Sequence, residues 1–157
     1  EYRRLTRQNG VTLIINDHVD IALAVEADGV HLGQNDLPCR EARRIAPSLM
    51  IGVSTHTQEE IRRAEEDGAT YINIGPVFQT QTKMTSVKPL GLDYLKSVKT
   101  KLPFSVMGGI KKDNLRKVIE CGARNIAMVT EITQAEKIAS TVKDLVLDIE
   151  KRLIRHG

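Results

Sequence analysis

Six short runs of valine, isoleucine and other apolar residues punctuate the chain: VTLIIN (11–16), GVHLG (29–33), MIGVS (50–54), YINIGPV (71–77), FSVMGG (104–109) and NIAMVT (125–130). Runs that are apolar at nearly every position suit parallel strands covered on both faces. The segments between them follow the helical period instead. TQEEIRRAEED opens with Thr57 and Glu60, a Thr-x-x-Glu capping box. In the tail, Ile138, Val142, Leu145, Ile149 and Leu153 recur at three- and four-residue steps, an amphipathic stripe. Three joints share one device, because VEADGVHL, AEEDGATYI and VIECGARNI each put a glycine between helix and strand. This predicts Gly29, Gly68 and Gly122 as left-handed helix C-caps, and the repeated joint predicts successive βα units with right-handed crossovers.

Polar positions choose between a barrel and an open doubly wound sheet. They gather at the carboxyl ends of the predicted strands: Asn16 and Asp17, Gln34 and Asp36, Ser54 and His56, Thr80 to Lys83, Gly108 and Gly109, and Thr130 after the sixth. A barrel brings all such ends to one rim, whereas an open sheet converges only those beside its switch point. The expected fold class is α/β, a TIM (β/α)8-type barrel of which six strands are read, forming one domain over residues 1–157.

Composition narrows the function classes. With 157 residues, 41 % of them apolar, the chain has enough material for one core. A net charge of +3, three tyrosines, two phenylalanines and no tryptophan argue against a nucleic-acid partner. No run of roughly 18 apolar residues could span a bilayer, and the first residues do not read as a signal peptide. A cytoplasmic protein acting on small molecules is the expectation. Cys39 and Cys121 form no CxxC pair and read as idle thiols.

Candidate chemistry lies at the strand tips. Asp17 and Asp36 end neighbouring strands and could share Mg²⁺, which takes one or two protein carboxylates and fills its octahedron with water and substrate phosphate. Helix capping is the competing reading of both. Gly108, Gly109 and Thr130 stand where barrels often build a phosphate site from backbone N–H groups and a helix N-terminus. The segment GPVFQTQTKMTSVKPLG (75–91) concentrates hydroxyls and lysines with no acid between Asp67 and Asp93, which suits an anionic ligand. His31 reads as a hydrogen-bonded core or rim residue, and no Ser-His-Asp arrangement is visible in the spacing.

Taken in order, IINDHVDIALAVEADGVHLGQNDLP, IGVSTHTQEE, INIGPVFQTQTK and MGGI resemble thiamine-phosphate synthase over nearly the whole chain. The resemblance implies a barrel enzyme that joins a pyrimidine diphosphate to thiazole phosphate and releases pyrophosphate. It implies Mg²⁺ on Asp17 and Asp36, diphosphate contacts from Asn16 and Lys83, and Ser54 beside the pyrimidine, with Lys83 and Ser54 as the catalytic pair. Thr80, Thr82, Gly109 and the backbone around Val129 and Thr130 would hold the thiazole phosphate. Thr130 stands where the family often has serine, and Gln34 also matches a family position. The implied mechanism breaks the C–O bond to pyrophosphate first, leaving a pyrimidine-stabilised cation for the thiazole nitrogen to capture.

The family also has two earlier strands and a Gln-x-Arg-x-Lys segment, whereas this sequence starts at EYRRLTRQNGV, which resembles the helix after them. Six strands do not close an eight-strand barrel. Expectations are therefore a piece of a longer chain, a partner chain or homo-oligomer that completes the sheet, or a non-catalytic phosphate-binding relative. A thiazole tautomerase of the same fold is a further alternative, but that relative has histidine where this chain has Pro76 and lacks the pair seen at Asn16 and Asp17.

Overall fold

The computed structural model describes residues 1–80 and 87–155, and these divide into two units. The first holds residues 1–73 and 99–103. It contains α1 (Tyr2–Gln8), β1 (Ile14–Asn16), α2 (Val19–Ala24), β2 (Gly29–Leu32), α3 (Cys39–Ile45), β3 (Met50–Thr55), α4 (Gln58–Glu66) and the first three residues of β4 (Tyr71–Ile74). The second holds Ile74, α5 (Gly91–Ser97), β5 (Phe104–Val106), α6 (Leu115–Glu120), β6 (Asn125–Ile126), α7 (Thr130–Thr133) and α8 (Ile138–Arg155).

In the first unit β1, β2 and β3 are parallel neighbours, with Ile14 opposite Gly29, Asn16 opposite His31 and His31 opposite Gly52. Helices of six to nine residues are too short to persist alone, so packing holds them. Val30, Leu32, Ile51, Val53 and Ile72 are buried together with Ala22, Ala42, Ile61 and Ala64 from α2, α3 and α4. Each fully buried Leu, Ile or Val contributes about 1.5–3 kcal/mol. The capping box forms: Glu60 N donates to Thr57 Oγ1 at 3.1 Å, and the Glu60 carboxylate accepts from His56 N at 2.6 Å.

The strands are shorter than their apolar runs. VTLIIN pairs only from Ile14, and NIAMVT only over two residues. Gly68 and Gly122 follow α4 and α6 with φ of 83° and 92°, as the glycine joints predict. Gly29 departs from that reading, since it lies inside β2 and the positive φ before it belongs to Glu26. Its glycine is required for another reason, because a Cβ there would lie 2.5 Å from the Met50 carbonyl.

Asp28 ties α1 to the start of β1. Arg3 donates to both carboxylate oxygens, at 2.7 and 3.0 Å, and Leu13 N donates at 2.7 Å. These bonds, Arg3 first, hold the Asp28 carboxyl below its ordinary value of 3.8. A carboxylate with a depressed folded pKa stabilises above the unfolded value, and that contribution is lost as pH falls through the folded one. Asp28→Asn is therefore expected to lower the melting temperature at pH 7, with the deficit closing well below pH 3.8. Melting curves at neutral and acid pH check this, and an equal deficit at both would assign the loss to packing.

In the second unit Ser105 and Val106 of β5 pair parallel with Asn125 and Ile126 of β6. Met107 N donates to Ile74 O, and Val77 N and Phe78 N donate to Met107 O and Gly108 O, so residues 74–78 run beside the end of β5. Leu115, Ile119 and Leu145 form a core joined by Ile126, Met128, Ile132, Ile149 and Leu153. The predicted tail stripe is thus buried at Leu145 and partly buried at Ile149 and Leu153, whereas Ile138 and Val142 are exposed. Among the described residues, no helix is long and apolar enough to cross a membrane.

Candidate functional site

In the first unit the carboxyl ends of β1, β2 and β3 carry Asn16, Asp17, Gln34, Asp36 and Ser54. His31 joins them. Its Nδ1 is 3.1 Å from the Tyr71 hydroxyl, and its Nε2 is 2.9 Å from Ser54 Oγ. Burial drives the His31 imidazole below the ordinary histidine value, while the Asp17 and Asp36 carboxylates oppose the shift. Both aspartates therefore act on the same ring. A neutral imidazole has one donor and one acceptor nitrogen, so one hydroxyl donates to it and the other accepts. Gln34 Nε2 donates to the Ser54 carbonyl at 2.6 Å, which fixes the backbone of the same residue.

Neither aspartate caps a helix. The N-cap of α2 is His18 and that of α3 is Pro38, and neither helix receives a side-chain cap bond. Asp36 instead accepts from Gly33 N at 2.7 Å, closing the turn after β2. Asp17 adopts φ of 65°, a left-handed conformation uncommon outside glycine, asparagine and aspartate, and its amide donates to the His31 carbonyl at 2.8 Å. Among the described residues no three His, Cys, Asp or Glu side chains cluster as a preformed cage. Two hard oxygen donors without soft ligands fit Mg²⁺, which leaves most of its sphere to water and phosphate.

The predicted thiazole-phosphate residues Thr80, Gly109, Val129 and Thr130 all belong to the second unit. Thr82 and Lys83 lie outside the described residues, as do Thr85 and Ser86. Gly108 and Gly109 have φ of 95° and 63°. Their missing side chains make room for the chain itself, since a Cβ on Gly108 would overlap Pro76 and one on Gly109 would lie 2.8 Å from Phe78 Cβ. Asn114 Nδ2 donates to Gly109 O at 3.0 Å while its Oδ1 accepts from Lys111 N at 2.9 Å, which staples this turn. Thr130 opens α7, a helix of four residues that offers little macrodipole to an anion.

Sequence reasoning missed two participants. Tyr71 sits within an apolar strand run and reads as core, and Lys111 follows the glycine pair as one of two adjacent lysines. Lys111 Nζ donates to Thr130 Oγ1 at 2.7 Å and lies 3.6 Å from Glu131 Oε2. Its signal was position, two residues beyond Gly109. The thiols offer no nucleophile: burial pushes Cys39 up to about 11 and raises Cys121.

A sequence model of the family described as thiamine monophosphate synthase matches residues 1–132. The chain is 47 % identical over 148 residues to the thiamine-phosphate synthase of Caldicellulosiruptor saccharolyticus, covering 92 % of this chain and 67 % of that one. It is 49 % identical over 146 residues to the thiamine-phosphate synthase of Pelotomaculum thermopropionicum, with coverage of 91 % and 67 %. Among solved structures, thiamine phosphate pyrophosphorylase from Pyrococcus furiosus superposes with a TM-score of 0.86 at 39 % identity, over 96 % of this chain and 73 % of that one. A 3-hexulose-6-phosphate synthase superposes at 0.67 with 18 % identity, a likeness of fold alone.

Proposed function

The chain belongs to the thiamine monophosphate synthase family, and from that premise we propose how its residues divide the work of joining a pyrimidine diphosphate to thiazole phosphate with release of pyrophosphate. The observation that carries the division is the gathering of Asp17, Asp36 and Ser54 at the carboxyl ends of β1, β2 and β3, with Ser54 Oγ held 2.9 Å from His31 Nε2. Asn16 and Lys83 bind the diphosphate, and Ser54, its hydroxyl aimed by His31, meets the pyrimidine side of the breaking bond. Thr80, Thr82, Gly109, Val129 and Thr130 receive the thiazole phosphate. The likeness to the Pyrococcus furiosus structure supports a (β/α)8-type barrel as the complete fold.

Asp17 and Asp36 would hold Mg²⁺. Bound there, the ion would supply positive charge to offset that of the departing pyrophosphate. Protein groups supply the rest: lysine stabilises the same leaving group, and the strand-end cluster orients the pyrimidine as its C–O bond breaks, the thiazole nitrogen then capturing the carbon. The imidazole of His31, engaged at both nitrogens, favours this dissociative course over a covalent enzyme intermediate.

Pyrophosphate release from the two substrates, followed across a magnesium titration, tests the reading. Asp17→Ala and Asp36→Ala are each expected to raise the magnesium concentration for half-maximal rate by about tenfold or more, as loss of one of two carboxylates demands. Unchanged magnesium dependence in both variants would remove the metal from these residues. Absence of pyrophosphate release by the wild-type enzyme would leave the tautomerase reading, which Pro76 disfavours.

A further inference from the structure

The second unit holds a positive group that the division of labour above does not use. Lys111 is half-buried, its ammonium anchored on Thr130 Oγ1 at 2.7 Å. Ammonium has three donors, and the 3.6 Å separation from Glu131 is an ion pair longer than a hydrogen bond. Donors therefore remain beside the residue assigned to the thiazole phosphate. A cavity of about 670 Å³ opens on this pair. Its rim sets Lys111, Lys112 and Lys137 against Glu131, Glu136 and Asp144, so the surrounding field is close to neutral and does not by itself attract an anion. The four-residue α7 contributes little positive potential either. A phosphate dianion received by Thr130 thus needs a local cation, and among the described residues Lys111 is the one in contact with that threonine.

We propose that Lys111 is a specificity-determining residue for the phosphorylated thiazole: anchored by Thr130, its ammonium takes a phosphate oxygen, and Glu131 pairs with it until the phosphate arrives. This rests on the assignment of Thr130 to the thiazole-phosphate site. Glu131 is then a competitor for the lysine, and the two residues act with opposite sign. Removing the cation weakens the phosphorylated ligand, whereas removing the carboxylate frees the cation and strengthens it.

The test is calorimetric titration of the enzyme with thiazole phosphate and with the unphosphorylated thiazole alcohol, across a range of salt. Lys111→Met is expected to weaken thiazole phosphate about tenfold or more, to flatten the salt dependence of its affinity, and to leave the alcohol unchanged. Lys111→Arg keeps the charge and is expected to stay within about threefold of wild type, while Glu131→Gln tightens thiazole phosphate about two- to fivefold. Equal weakening of both ligands by Lys111→Met would make the lysine a structural prop and overturn the proposal. So would affinities for thiazole phosphate within about twofold of wild type in both Lys111→Met and Glu131→Gln. Failure of the functional reading is distinguishable: the wild-type enzyme would then bind neither thiazole and release no pyrophosphate.

Discussion

Lys83→Ala is expected to lower kcat by about 10²- to 10³-fold, the usual loss when one preorganised stabiliser of developing charge is removed. Pyrophosphate gains charge as its bond to the pyrimidine carbon breaks, and a lysine on that group matters more in the transition state than in the ground state. The sequence around it supports that placement, since no acid stands between Asp67 and Asp93 to neutralise the segment. Affinity for thiazole phosphate is expected to change by less than about threefold, because that ligand's phosphate is a separate anion with its own cation at Lys111. On the proposed division, two lysines serve two anions. Single-turnover rates and calorimetric affinities measured on Lys83→Ala and Lys111→Met together should show crossed effects, one on the bond-breaking rate and the other on acceptor binding. Equal loss of both quantities in Lys83→Ala would remove that lysine from the diphosphate.

The apolar rhythm identified the βα order well: β2, β3 and β4 are mostly buried and carry continuous apolar runs, and β1, β5 and β6 lie within apolar runs although they are only partly buried. Strand ends were less legible. The runs extend past the strands at residues 11–13 and 128–130, where Val11 and Val129 are exposed, so an apolar letter there records neither pairing nor burial. The glycine device read correctly at Gly68 and Gly122 and failed at Gly29, where the requirement is room for the Met50 carbonyl of the next strand. A close approach between strands leaves the same letter in the sequence as a left-handed turn. Asp17 and Asp36 were singled out by position as candidate ligands with helix capping as the competing reading, and the structure gives α2 and α3 other N-caps. Tyr71 was invisible for a different reason. Its hydroxyl acquires a role only because β3 puts a glycine where the ring needs space, a relation between strands that no local pattern records.

That relation yields the second large effect. Gly52 stands opposite His31 in the β2–β3 register, and a Cβ on it would overlap the Tyr71 ring and lie 2.5 Å from His31 Nδ1. The Tyr71 and His31 rings meet there, with centroids 5.6 Å apart. Gly52→Ala is therefore expected to cost about 2–3 kcal/mol by overpacking, a fall of about 4–10 °C in melting temperature for a chain of this size. Activity should fall as well, because moving His31 releases the Ser54 hydroxyl from its 2.9 Å contact. A double-mutant cycle separates the clash from the backbone effect of the substitution. In a Tyr71→Ala background the offending ring is gone, so the additional cost of Gly52→Ala should shrink to less than about 1 kcal/mol while the Tyr71 bond to His31 stays lost in both members of the pair. An undiminished cost in that background would place the strain on His31 or on the backbone of β3. The small residue would then serve the histidine directly, and Tyr71 would be a neighbour rather than the reason glycine occupies position 52.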